Sequence, residues 1–110
     1  MRIILQTVIL ALSVVSAAGA DEVISNTKAA QLLTKYNCQT CHTLGASSLP
    51  GPSYRAIAKK YASDPQAVGD LETSVVNGSS GTWGNNTMPP TEISNKDLKA
   101  LIVWILQLMP

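Results

Sequence analysis

Cys38-Gln39-Thr40-Cys41-His42 gathers the chain's two thiols and its single imidazole within one short segment. On a helical turn, side chains three and four residues apart share a face with Cβ atoms roughly 5–6 Å apart. Thiols so spaced can add to the two vinyl groups on one porphyrin edge. The imidazole that follows can then aim a ring nitrogen at the iron, so C-x-x-C-H reads as an attachment site for c-type haem. A closed zinc site wants about four ligands, more than two Cys and one His supply. A thioredoxin-type dithiol follows a strand of a βαβ unit, and no such pattern is visible. A plain disulfide in an exported protein stays open.

A second candidate stands in Trp83-Gly84-Asn85-Asn86-Thr87-Met88-Pro89-Pro90. A thioether is a soft ligand suited to iron opposite imidazole, and adjacent prolines stiffen the segment that presents it. Isolated methionines commonly serve as gap-fillers. Met1 belongs to the leader and Met109 to the chain end, which leaves Met88 as the axial candidate.

These groups need a scaffold, and apolar residues at helical spacing recur four times, with no internal repeat and no alternating strand pattern. The fold is therefore expected to be all-α. A first helix starts near Ser25 or Asn26, carries Ala29, Leu32, Leu33 and Tyr36, and runs into Cys38. A second follows the Pro50-Gly51-Pro52 break with Tyr54, Ile57 and Tyr61. The third is capped by Asp64 with Pro65 at its first position, bears Val68, Leu71 and Val75, and stops at Asn77-Gly78. The last begins at Ser94 and Asp97 and shows a wide stripe of Leu98, Leu101, Ile102, Ile105 and Leu106; Trp104 reads as core. Residues 79–91, rich in Gly, Ser, Asn and Pro, form a long structureless connection and hence a functional one.

The 110 residues, 45% of them hydrophobic and 14% charged, suit one domain. Residues 1–20 read as a signal peptide: Arg2, an apolar run over 3–15 too short for the roughly 20 residues of a membrane span, and Ala18-Gly19-Ala20 before the cut. The domain is then 21–110, with basic and acidic residues in equal number. No basic face recruits nucleic acid, and no charge run marks a lipid-binding patch. A periplasmic protein without stable membrane insertion follows.

Taken with their order and spacing, Cys38 to His42, Gly51-Pro52-Ser53-Tyr54, Asn77-Gly78-Ser79, Gly81-Thr82-Trp83-Gly84, Met88-Pro89-Pro90 and the closing Leu101 to Leu106 segment resemble the class I cytochromes c. Within that class the chain is similar to the short bacterial c-551 or c8 type. The resemblance implies a cytochrome c fold of about four helices around one covalently bound haem c. It implies His42 and Met88 as axial ligands, the Pro52 carbonyl holding the ring N–H of His42, and the Trp83 indole near a haem propionate. Two positions depart from the pattern: Asn37 stands where the family usually has Gly, and Ser74 where close relatives tend to place Arg.

With both axial positions filled, the expectation is a monomeric one-electron carrier between redox proteins, without substrate chemistry of its own. A haem sensor in which Met88 yields to a diatomic gas, a haem-free disulfide-bonded domain, and the cytochrome subunit of a periplasmic dehydrogenase are the rival readings.

Overall fold

The structure, a computed structural model, describes residues 8–13, 22–46 and 48–109. Its elements run α1 (Asn26–Lys35), a 3-10 turn (Cys38–Thr40), α2 (Tyr54–Lys60), α3 (Ala67–Asn77), β1 (Ser79–Gly81), β2 (Gly84–Met88) and α4 (Asn95–Leu106). This is the small helical fold that the periodicity predicts. Among the described residues no helix is long and apolar enough to cross a membrane. The signal peptide expected over 1–20, with its cut after Ala20, lies for the most part outside the described residues.

Serine hydroxyls start three of the helices, each accepting from a backbone N–H that the first turn leaves without a partner. Ser25 accepts from Lys28, Ser53 from Ala56 and Ser94 from Asp97, at 3.1, 3.1 and 3.2 Å. The third helix departs from expectation by starting at Ala67 rather than Pro65. Asp64 spends its carboxylate on Gln66 N at 2.8 Å, and its carbonyl accepts from Ala67 N at 3.2 Å. Pro65-Gln66 is thereby closed into a turn ahead of the helix.

Helix α4 packs against α1, α2 and α3. The main core cluster joins Ala29, Leu32 and Leu33 of α1, Tyr54 and Ile57 of α2, and Leu101 and Trp104 of α4. Trp104 meets Tyr54 edge to face at 6.1 Å between ring centroids and donates Nε1–H to Asn26 Oδ1 at 3.0 Å. Helix α3 contributes only Ala67 to the buried set; its stripe residues Leu71 and Val75 are half-buried and face a cavity instead.

The connection 79–91 is not structureless: β1 and β2 pair in an antiparallel ribbon. Thr82-Trp83 form the tip between Gly81 and Gly84, at φ +84 and +99, backbone that glycine adopts without a Cβ clash. The ribbon escapes periodicity because from Gly81 to Thr87 it is exposed, and its strands hold Ser, Gly, Asn and Thr with no apolar alternation to read.

At the crossing of α1 and α4, Tyr36 Oη donates to Asp97 Oδ2 at 2.5 Å, with Lys35 Nζ 3.5 Å from the same oxygen. The Tyr36 hydrogen bond, helped by the Lys35 charge, holds the Asp97 carboxyl below the usual aspartate range. A carboxyl depressed in the folded state stabilises the fold above its unfolded pKa, and that contribution fades as pH falls through the folded value. Denaturant titrations of the holoprotein should therefore show stability declining as pH drops below about 4. Asp97→Asn should flatten part of that acid slope, and an unchanged slope would remove Asp97 from the account.

Candidate functional site

The chain leaves α1 through Tyr36 and turns at Asn37, which takes the left-handed conformation (φ 58°, ψ 28°). Asparagine tolerates that backbone better than most side chains do, so the turn forms without glycine. In the following turn both Cys41 N and His42 N donate to Cys38 O, at 3.2 and 3.0 Å. Cys38, Cys41 and His42 thus share one helical turn and line one cavity. Both thiols are half-buried and unbridged, and burial pushes the Cys38 thiol up.

Behind His42, the loop 50–53 folds back on the turn. Gly51 N donates to Cys41 O at 2.8 Å, and His42 Nδ1 lies 2.7 Å from Pro52 O. A carbonyl only accepts, so Nδ1 carries a proton, and in the neutral ring the lone pair is then on Nε2. That is the tautomer a metal-binding imidazole requires, oriented by its other nitrogen. Gly51 is a site residue that motif reading misses: a Cβ there would stand 2.6 Å from His42 Cε1 and 2.7 Å from Cys41 O. Only glycine lets this backbone press on the ring. Tyr54 is a second, stacked on His42 at 5.7 Å between ring centroids. Its hydroxyl is buried without a hydrogen-bond partner among the described residues, and burial pushes its pKa up.

The cavity measures about 230 Å³ and is walled mainly by apolar side chains, among them Leu33, Leu71, Val75, Ile102 and Ile105. Met88, at the end of β2 and half-buried, lines it too, so the ribbon brings the thioether to the space that the Cys38–His42 turn faces. Two contacts fix its backbone. Met88 pairs with Ser79, and Gly78, at φ +80, lies so close that a Cβ would meet Met88 O at 2.7 Å. Trp83 stands on the same lining, 39% exposed, with Lys60 Nζ 5.3 Å from its ring centroid. Ser74 also faces the cavity but returns its hydroxyl to Asp70 O at 3.0 Å. The structure thus gathers Cys38, Cys41, His42, Pro52, Trp83 and Met88 around one space.

A flat, largely apolar tetrapyrrole suits this lining. Two thiols, one unprotonated imidazole nitrogen and one thioether make a donor set for covalent attachment and soft iron ligation. No group of three or more His, Cys, Asp and Glu among the described residues could hold a bare metal ion.

Comparison with known proteins agrees with this chemistry. The family model described as Cytochrome c matches residues 27–109. The chain is 40% identical over 78 residues to cytochrome c-552 of Hydrogenobacter thermophilus, covering 71% of this chain and 79% of the relative. It is 36% identical over 99 residues to cytochrome c-551 of Allochromatium vinosum, covering 89% and 96%. Among solved structures, wild-type cytochrome c552 of Nitrosomonas europaea superposes with a TM-score of 0.66 at 42% identity, covering 71% of this chain and 96% of that one. The chain therefore belongs to the cytochrome c family as a short class I c-type cytochrome, a monohaem electron carrier with one covalently bound haem c.

Proposed function

We propose that the haem is joined through Cys38 and Cys41, that His42 and Met88 are the axial ligands, and that the protein is a soluble periplasmic carrier passing single electrons between redox proteins. When bound, haem c supplies a one-electron ferric/ferrous couple. The polypeptide supplies position and environment. Pro52 O accepts the Nδ1 proton and holds the His42 ring; Gly51 keeps that contact short. The apolar lining keeps water away, which disfavours the more highly charged ferric state, and a thioether ligand acts in the same direction, so a high potential is expected. The Trp83 indole donates towards a haem propionate in this reading. With two protein ligands on the iron no position is left for a substrate, so no catalysis is ascribed to the protein. Equal numbers of basic and acidic residues over 21–110 favour docking through a mixed or apolar surface rather than on nucleic acid. The protein is taken to act as a monomer once residues 1–20 are removed.

The observation that carries the ligand assignment is the presence of Met88 and an Nε2-free His42 on one apolar cavity. The test is optical. Denatured holoprotein should give a c-type pyridine haemochrome, and the ferric protein should show the weak far-red charge-transfer band of sulfur–iron bonding. Met88→Ala should abolish that band and lower the reduction potential markedly. A band that survives in Met88→Ala excludes Met88, and a wild-type protein lacking it supports the ligand-binding sensor.

A further inference from the structure

We propose that Asn86 is a positioning residue, a latch that ties the ribbon carrying Met88 to the loop that orients His42 and so holds Met88 on the iron against competing ligands. The inference rests on the His42/Met88 reading above.

The ribbon is irregular where it matters. Ser79 pairs with Met88 and Ser80 with Thr87, but the next pair is Gly81 with Gly84. Asn85 and Asn86 therefore lie between the two registers with no partner residue on β1. A bulge of this kind re-aims a side chain out of the ladder. Asn86 uses that freedom to cross to the other loop, where Nδ2 donates to Pro50 O at 3.0 Å. The acceptor is a carbonyl, so the amide nitrogen must face it.

Pro50 leads directly into the two residues that hold the imidazole. Gly51 N is bonded to Cys41 O, and Pro52 O to His42 Nδ1. One side-chain amide thus joins the ribbon bearing Met88 to the loop that orients His42, and both Pro50 and Asn86 line the cavity.

The position explains why a latch is useful. After Met88 the chain is anchored, because Gly78 packs on Met88 O and Thr91 N donates to Val75 O at 2.9 Å. Before Met88 the chain is tied to β1 at Thr87 and Gly84, within the same ribbon, and residues 84–87 are all exposed. A swing of this exposed ribbon would draw the thioether off the iron, and the Asn86 bond to the other loop opposes that swing. Such a bond shifts the equilibrium about two- to tenfold, as one exposed hydrogen bond can.

The test titrates ferric holoprotein with imidazole, which competes for the Met88 position, and follows loss of the far-red band. Asn86→Ala and the same-shaped Asn86→Asp, which offers no donor to Pro50 O, should bind imidazole about two- to tenfold more tightly than wild type. Asn86→Gln, which keeps the amide, should recover part of the difference. Asn85→Ala, in the same bulge, should resemble wild type, and the folding equilibrium of the Asn86 variants should weaken by no more than about the same two- to tenfold factor. Unchanged imidazole affinity in Asn86→Ala overturns the latch while leaving the ligand assignment intact. So does an Asn85→Ala effect as large as that of Asn86→Ala, or an equal affinity change in a variant far from the ribbon that is destabilised as much. A wild-type protein without the band overturns the axial reading, and the latch with it.

Discussion

Replacing Cys38 and Cys41 by alanine, so that haem is no longer attached, should leave a chain without cooperative tertiary structure. The reason lies in how the apolar surface is divided. Helices α1, α2 and α4 share a core of direct side-chain contacts, whereas α3 buries only Ala67 fully and turns Leu71 and Val75 to the cavity. Besides its contact with α4, α3 faces the cavity that the proposed function fills with the cofactor, as does Met88 of the ribbon.

Helix α3 is also weak in its own right. It carries Gly69, which costs about 1 kcal/mol relative to alanine inside a helix, and β-branched Val68, Thr73, Val75 and Val76. The hydroxyls of Thr73 and Ser74 bond back to the carbonyls of Gly69 and Asp70, each at 3.0 Å, a pattern that slightly loosens a helix. A helix of 11 residues with these features does not persist alone in water. A domain this small has little stability to spare, and a group bound only by the folded state contributes to it directly. Far-ultraviolet circular dichroism of the Cys38→Ala/Cys41→Ala chain should show a large loss of helix and a broad thermal transition, with residual signal from α1 and α4. A sharp transition at near-native helicity would mean that the polypeptide core suffices.

How far the sequence discloses this division depends on the range of each interaction. The Cys38–His42 turn is legible because its chemistry and its geometry both fit inside one helical turn. Helices α1 and α4 are legible from their stripes and from the serines that cap them, and α2 from its apolar residues after the Pro50-Gly51-Pro52 break, whereas its Ser53 cap emerges from the structure. The start of α3 is less so, since Asp64 can cap a helix or close a turn, and here it closes a turn over Pro65-Gln66. The ribbon 79–88 is illegible by periodicity because nothing apolar alternates along it.

Around the cavity the same rule holds. Met88 stands out as a soft donor in a stiffened segment, but its nearness to His42 is a property of the fold. Gly51 gives no local signal, because its requirement is for space beside the His42 ring rather than for an unusual φ. The Asn86 bond to Pro50 O spans 36 residues and depends on a bulge that no pattern announces. Tyr54 reads as a core aromatic from its helical spacing, and it is one; that the same ring backs His42 emerges only once α2 is set against the turn.

That double duty links the core to the proposed iron ligand His42, and Trp104→Ala is the substitution that should expose the link. Trp104 is 6% exposed, sits in the central cluster, and supports Tyr54 edge to face. Truncating a buried tryptophan to alanine costs about 3–5 kcal/mol in transfer and cavity terms together. The lost aromatic pair lies within that figure rather than on top of it, and Asn26, being exposed, can turn its freed oxygen to water. For a domain of this size the holoprotein should melt on the order of 15 °C or more below wild type. Trp104→Phe keeps most of the volume and an edge for Tyr54, so it should lose no more than about half as much. The spectroscopic consequence separates a general loss of packing from a specific one. Tyr54 stands between Trp104 and His42, so Trp104→Ala should free the phenol ring to shift and perturb the histidine–iron signature well below the melting transition. Trp104→Phe should leave that signature in place. A Trp104→Ala protein destabilised by less than 1 kcal/mol would show that α1 and α4 are held by something other than this cluster. A destabilised protein with an unperturbed histidine signature would show that Pro52 O and Gly51 fix the ring without help from Tyr54.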